Sequence, residues 1–313
     1  MLGINMSRHI YDLLILGAGP AGITAAVYAA RKKMDFLVIS QDIGGQAAWS
    51  GDIENYTGYQ FITGPELAIK FQEHMDAFGI KVNMPEQVDS LAREKQLIKT
   101  DTDAQEYYSK TVIVATGKRP RPLNIAGEAE FKNKGVTYCA TCDGPLFSGK
   151  AVAIIGGGNS ALDAVLQLMN ISPKVYLINI SDDLTGDPVM VANVRKSENV
   201  QIINQAKILR IYGDTFVRGI SLQTKKGDQD LAVEGVFVEI GLIPNTAFAQ
   251  SLSRNPAGEI IVDCYNRTSL KGVFAAGDAT NVPEKQIIIA CGEGSKACLA
   301  AFHYLNTHKF DGD

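Results

Sequence analysis

Tyr11-Asp12-Leu13-Leu14-Ile15-Leu16-Gly17-Ala18-Gly19-Pro20-Ala21-Gly22 is the stretch that decides the fold. A short apolar run leads directly into a glycine turn, and an alanine-rich stretch with helical spacing continues to about Lys33. Phe36 to Ile39 is a second short apolar run, so the order is strand, glycine turn, helix, strand: one βαβ unit. Each glycine has its own duty in such a unit. Gly17 permits the tight turn, Gly19 lets backbone approach a pyrophosphate, and Gly22 lets helix and strand pack closely, with the phosphate at the positive end of the helix. A lone glycine pattern is weak evidence; this one has the flanks that dinucleotide binding requires. The acid that usually binds the adenosine ribose is missing. Ser40 holds its place, and Gly44-Gly45-Gln46 just beyond can bring backbone amides up to a ligand.

The pattern returns later in the chain. Ala151 to Ile155 reads as a strand, Gly156-Gly157-Gly158-Asn159-Ser160-Ala161 as the turn, Ala161 to Met169 as helix and Val175 to Ile178 as the next strand. Asn179 stands at the same offset as Ser40 and can exchange hydrogen bonds with a ribose hydroxyl, but it carries no charge. Asp182 and Asp183 follow, and no arginine lies between Asn179 and Val194 to meet a 2′-phosphate. The second unit is read as a nicotinamide-nucleotide site; the competing reading is a retained fold that has lost its ligand. A third block closes the chain: a strand and small-residue turn over Gly272 to Asp278, then a long helix over Gln286 to Leu305 with an early break at Gly292-Glu293-Gly294. The crossings between parts fall at Lys118-Arg119-Pro120-Arg121-Pro122, where prolines favour extended chain, and at Pro244-Asn245. The expected architecture is α/β, with two Rossmann-like dinucleotide-binding domains, the second inserted into the first. Residues 1–117 and 246–313 would form one domain and residues 118–245 the other.

Cys139-Ala140-Thr141-Cys142-Asp143 carries the chemistry. Two cysteines at this spacing can close a disulfide within one turn, and the arrangement lowers the pKa of one thiol. Asp143 is adjacent and can move a proton. A structural zinc site normally needs a second such pair, and none exists, so no metal is expected. A structural disulfide and two inert cysteines are the other bland readings. Cys264, Cys291 and Cys298 read as buried small apolar residues, and an odd total of 5 cysteines argues against a disulfide framework. The 313 residues suit about two domains, and 46% hydrophobic content supplies two cores. A net charge of −4 without a basic patch argues against nucleic acid as a partner. The uncharged stretch Leu13 to Ala30 is interrupted by Pro20 and glycines, so neither a membrane span nor a signal peptide is expected, and the cytoplasm is the default compartment. The four histidines, His9, His74, His303 and His308, form no catalytic or metal-binding cluster with other residues.

With these segments on the page, the chain resembles the low-molecular-weight thioredoxin reductases over nearly its full length. The matching segments are Gly17 to Gly22, Gly44-Gly45-Gln46, Glu54-Asn55-Tyr56, Ala115-Thr116-Gly117, Cys139 to Asp143, Gly156 to Ser160 and Ala275-Ala276-Gly277-Asp278. It is also similar to the reductase portion of the flavoprotein component of alkyl hydroperoxide reductase. The extra N-terminal thioredoxin-like region of that protein is not expected here. The resemblance implies FAD in the first domain, a nicotinamide nucleotide in the second, a thioredoxin-like protein as partner and a homodimer. By matching position it implies that Gly17, Gly19 and Gly22 hold the FAD pyrophosphate. Gln46 and Asn55 would lie near the flavin, Asp278 on its ribityl chain, and Gln286 on the flavin or its tail. Gly44, Gly45 and Gly117 would belong to the same site, and Gly156, Gly158, Asn159, Ser160 and Asn179 to the nicotinamide site. Cys142 would be the thiol nearer the flavin, Cys139 the one that exchanges with the partner, and Asp143 the acid–base residue.

One departure bears on the donor. The family's second site carries His-Arg-Arg and a further Arg four positions on, where this chain has Asn179-Ile180-Ser181 and Thr185. NADH is therefore expected over NADPH. The alternatives are a peroxide-reductase-type flavoprotein serving a separate small redox protein, a reductase fed by ferredoxin or a deazaflavin, and a flavin redox sensor that does not turn over.

Overall fold

The computed structural model describes residues 9–50 and 52–310. Six helices lie among them: α1 (Pro20–Arg31), α2 (Gly64–Ala77), α3 (Ala140–Asp143), α4 (Asn159–Leu168), α5 (Pro188–Lys196) and α6 (Ile287–Thr307). The chain divides into two compact units, residues 1–119 with 243–313, and residues 120–242.

In the first unit the opening stretch forms the strand Ile10–Ala18. Leu13 and Ile15 face a cluster with Ala25 and Ala29 of α1 and Ala297 and Ala301 of α6. Leu14 and Leu16 face a second cluster with Val112, Val114 and Leu252. Both faces of the strand are thus covered, which is why its sequence reads as a continuous apolar run and not as an alternation. Each such leucine or isoleucine contributes roughly 1.5–3 kcal/mol by leaving water. The uncharged stretch Leu13 to Ala30 is this strand plus α1; among the described residues no helix is long and apolar enough to cross a membrane.

The sheet of this unit runs Val82–Asn83, Phe36–Ile43, Ile10–Ala18, Glu106–Val114, Leu97–Thr102, Val88–Glu94, and Val273–Ala275 also pairs with Glu106–Val114. The first four strands and Val273–Ala275 pair in parallel, while Leu97–Thr102 and Val88–Glu94 add an antiparallel edge.

The expected break in the last helix does not occur: α6 runs unbroken through Gly292 and Gly294. Gly294 is there for packing. A Cβ on it would lie 2.0 Å from the Ala21 carbonyl oxygen of α1, so only glycine lets the two helices approach.

The second unit has a five-stranded parallel sheet in the order Val136–Thr137, Gly235–Val238, Val152–Ile155, Val175–Ile178, Val200–Ile203. Helix α4 begins at Asn159 and not at Ala161, because Gly158 already serves as its N-cap. A three-stranded antiparallel sheet, Lys207–Gly213, Val217–Thr224 and Gly227–Ala232, was not foreseen from the sequence. The chain crosses between units in Lys118–Pro120 and Leu242–Pro244, and these two strands pair with each other.

Candidate functional site

In the first unit, Gly17 ends its strand at φ +108°, and a Cβ there would lie 2.4 Å from the Ala115 carbonyl oxygen. A Cβ on Gly22 would lie 1.8 Å from the Gly17 carbonyl oxygen, so the turn tolerates no side chain at either position. Gly19 differs: nothing lies within 4 Å of its Cβ position, and no side chain caps the start of α1 behind it. The first amides of α1 therefore point at open space, the arrangement that receives an anionic phosphate.

Ser40, at the position of the missing acid, is buried. Its Oγ accepts from the Ala18 amide at 3.0 Å and donates to the Asp42 carbonyl at 2.7 Å, so it braces the turn. Gly44 (φ +91°) and Gly45 (φ +53°) lead into the short 3₁₀ turn Gly45–Trp49, which includes Gln46. The Gly44 amide donates to the Ala18 carbonyl at 2.8 Å, which lays this loop against the glycine turn. Asn55 and Gln286 meet directly: Asn55 Nδ2 donates to Gln286 Oε1 at 3.1 Å. Gly117 (φ +60°) has nothing near its Cβ position.

Asp278 sits in the 3₁₀ turn Gly277–Ala279 after the last strand. Burial pushes its carboxyl up, and the cations of Lys285 and Lys118 partly offset that push. Half-buried, its carboxylate makes no hydrogen bond among the described residues, which leaves it open to accept one from a ligand hydroxyl. Around it, Glu259 Oε1 binds Lys118 Nζ at 2.9 Å and Lys285 Nζ at 3.1 Å. Burial pushes the Glu259 carboxyl up, but bonds from Lys118, Asn255 and Lys285 outweigh it and hold it at about 2. An open glycine turn, uncapped helix amides and an unpartnered carboxylate together fit a group with both a pyrophosphate and a hydroxylated chain.

In the second unit, a cleft of about 580 Å³ opens over Gly156, Gly157, Gly158, Asn159 and Ser160. Gly156 (φ +142°) leaves no room for a Cβ, which would lie 2.2 Å from the Glu239 carbonyl oxygen. Asn159 Oδ1 accepts from the Asp187 amide at 2.7 Å. Asn179 is buried and turned to its own loop. Its Nδ2 donates to the Asp183 carbonyl at 2.8 Å and its Oδ1 accepts from the Ser181 amide at 3.2 Å. Lys207 is the only cation and Glu239 the only carboxylate among the residues lining the cleft. Asp183 is paired with Arg195 at 2.5 Å, so repulsion of a 2′-phosphate by this loop rests chiefly on Asp182.

Cys139 is disulfide-bonded, and it precedes α3, the single helical turn that also holds Asp143. The Cys142 side chain lies outside the described structure. Thr137 ties the motif together: its Oγ1 accepts from the Cys139 amide at 3.2 Å and donates to Asp143 Oδ2. Glu239, which lines the cleft, has its carboxyl pushed up to about 7 by burial, with the Ala140 backbone opposing the push and Asp163 adding to it. Thr137 and Glu239 were missed from the sequence, although an acid closing the apolar run Val236-Phe237-Val238 was a visible signal. Cys291 and Cys298 are buried as expected, whereas Cys264 is exposed, on an irregular segment that cannot enclose it.

The model of the pyridine nucleotide-disulphide oxidoreductase family matches residues 11–294. The chain belongs to that family. Pyridine nucleotide-disulphide oxidoreductases use FAD and a nicotinamide, and both glycine turns fall inside the matched range. The chain is 43% identical over 312 residues to an alkyl hydroperoxide reductase component of Xanthomonas campestris pv. phaseoli, covering 96% of this chain and 58% of that one. It is 42% identical over 307 residues to a Bacillus subtilis NADH dehydrogenase, covering 95% and 59%. Among solved structures, thioredoxin reductase from Lactococcus lactis superposes with a TM-score of 0.84 at 34% identity, covering 95% of this chain and 100% of the other. This family member is thus a thioredoxin reductase-like flavoprotein oxidoreductase, and it spans a little under three-fifths of the length of the curated relatives it matches.

Proposed function

We propose that this protein is an FAD-dependent thioredoxin-disulfide reductase that takes electrons from NADH in preference to NADPH. The net reaction is NADH, a proton and a partner disulfide giving NAD⁺ and a partner dithiol. The observation that carries the reading is the disulfide at Cys139, bound through Thr137 to an acid, in a chain with two separate glycine turns for dinucleotides.

The first unit (residues 1–117 and 246–313 by the sequence boundaries) would hold FAD through Gly17, Gly19, Gly22, Gly44, Gly45, Gln46, Asn55, Gly117, Asp278 and Gln286. FAD, when bound, supplies the two-electron relay between nicotinamide and disulfide. The second unit (118–245) would hold the nicotinamide nucleotide at Gly156, Gly158, Asn159 and Ser160, with Asn179 acting by bracing its loop. In the reduced dithiol the Cys139 thiolate attacks the partner's disulfide. Cys142 then displaces the partner thiol and re-forms the enzyme disulfide, and Asp143 exchanges the protons. The cleft lacks an arginine fork for a 2′-phosphate, which supports NADH. We infer a homodimer acting on a thioredoxin-like protein, as the resemblance implies, with the cytoplasm as its default compartment.

Anaerobic mixing tests the reading: NADH should bleach the flavin and oxidised thioredoxin should restore its colour. Bleaching without recolouring would sink the thioredoxin assignment. A second reading is a peroxide-reductase-type flavoprotein serving a separate small redox protein, which the 43% identity to the alkyl hydroperoxide reductase component favours. It predicts recolouring by a peroxide-reducing partner and not by thioredoxin.

A further inference from the structure

We propose that Glu128 is a positioning residue that couples the dinucleotide cleft to the cysteine turn: one of its carboxylate oxygens holds both the cleft wall at Leu123 and the side chain of Tyr138, so that opening the Cys139 disulfide loosens the grip on the nucleotide. The proposal rests on the readings of the cleft as a nicotinamide-nucleotide site and of the disulfide as redox-active. Every residue in it belongs to the second unit. Glu128 is buried, on the irregular segment between the crossing strand Lys118–Pro120 and the strand Val136–Thr137. Its Oε1 accepts from the Leu123 amide at 2.7 Å and from the Tyr138 hydroxyl at 2.7 Å, and its Oε2 accepts from the Asn124 amide at 2.6 Å. Leu123 and Ile125 line the cleft, and Tyr138 immediately precedes Cys139. One carboxylate thus bonds the cleft wall and the entry to the cysteine turn.

Three donors satisfy the buried carboxylate and fix its direction. The turn that carries it is fastened to the three-stranded sheet. The Ile211 amide donates to the Ala126 carbonyl at 2.9 Å, and a Cβ on Gly127 would lie 2.0 Å from the Ile211 carbonyl oxygen. With that side anchored, Leu123 and Tyr138 hold each other in place through the shared Oε1. A closed disulfide restrains the chain at Cys139 and therefore at Tyr138; an open one gives up that restraint. A wall that is already held has less freedom to lose when a ligand packs on it, so the closed form binds more tightly. In the proposed reaction NADH and a proton become NAD⁺ as the S–S bond opens to two thiols. The nucleotide that is then held less tightly is the spent one, which favours its release.

The test is calorimetric binding of ADP-ribose to the air-oxidised holoenzyme. This probe carries the adenosine and pyrophosphate of the nucleotide without the nicotinamide, so the flavin stays oxidised in every sample. Cys139→Ser keeps the turn permanently open, and Tyr138→Phe removes only the hydroxyl. Both leave the Glu128 carboxylate in place, so the turn it braces stays folded. Each single variant should bind ADP-ribose about twofold to tenfold more weakly than wild type, the size of one hydrogen bond. The double variant should bind no more weakly than the weaker single one, because both changes cut the same link. Wild-type affinity in either single variant, or a double variant weaker than both, would overturn the proposal while leaving the nucleotide reading intact. Undetectable binding of ADP-ribose to wild type would defeat the nucleotide reading of the cleft, and the proposal with it. A Cys139 disulfide that resists dithiothreitol in the folded wild type would defeat the redox reading, and likewise the proposal.

Discussion

At the scale of single residues, two carboxylates lead to measurable outcomes. Asp143 and the Cys139 amide are both bonded by Thr137 Oγ1, which suits the acid–base role proposed for Asp143. Asp143→Asn should slow turnover by roughly 10²–10⁴-fold with the flavin still bound, and an unchanged rate would remove the acid–base role. Glu259 makes a prediction about stability. Its carboxyl lies below the ordinary carboxylate range because Lys118, Asn255 and Lys285 together outweigh its burial. A depressed folded-state pKa contributes stability that is complete above the unfolded value, about 4.3, and is lost as pH falls toward about 2. Thermal melts across that window should therefore show a steeper acid loss for wild type than for Glu259→Gln. Parallel losses would mean that the Lys118–Glu259–Lys285 cluster adds nothing to the fold.

At the scale of elements, α1 and α6 offer a paired test on one helix. Gly294 of α6 sits where a Cβ would strike the Ala21 carbonyl, whereas nothing lies within 4 Å of the Cβ position of Gly292. Gly294→Ala should cost about 1–3 kcal/mol or more in denaturant unfolding, as overpacking does. Gly292→Ala should be neutral or add up to about 1 kcal/mol, since alanine is the better helix former. Equal effects would contradict the packing account. The same glycines show where sequence reading runs short. The pattern Gly292-Glu293-Gly294 suggests a break because glycine is read for its own flexibility, while its purpose here lies in a helix some 270 residues earlier. The βαβ units were legible because local apolar runs and glycine turns specify them. The antiparallel strands Lys207–Ala232 were not, because Gly227–Ala232 is mostly exposed and polar and has no apolar period to read. Cys139 and Asp143 were evident from one pentapeptide. Glu239 and Thr137 matter only through contacts made after folding, and so does the inward turn of Asn179.

At the scale of the whole molecule, donor choice is the property that the sequence and the cleft address together. A 2′-phosphate prefers an arginine fork, each charge-assisted bond being worth about 1.5–3 kcal/mol. Lys207 is the cleft's only cation, and Asn179 is committed to its own loop. A missing bond of that kind amounts to roughly 10–100-fold, so kcat/KM should favour NADH over NADPH by about that factor. A preference for NADPH would show that Lys207, or Arg195 freed from Asp183, meets the phosphate.

The paired crossing strands extend this point beyond one enzyme. Lys118–Pro120 and Leu242–Pro244 lie side by side, with Arg121 bonded to Gly241 on one flank and Asn245 to Gly117 on the other. Everything between them is a single continuous cassette whose two ends are neighbours. Such a segment can be exchanged between homologues by two cuts at one seam, without disturbing the host sheet or the Gly17 turn. On the function proposed above, donor preference and the cysteine pair would then travel together as one module.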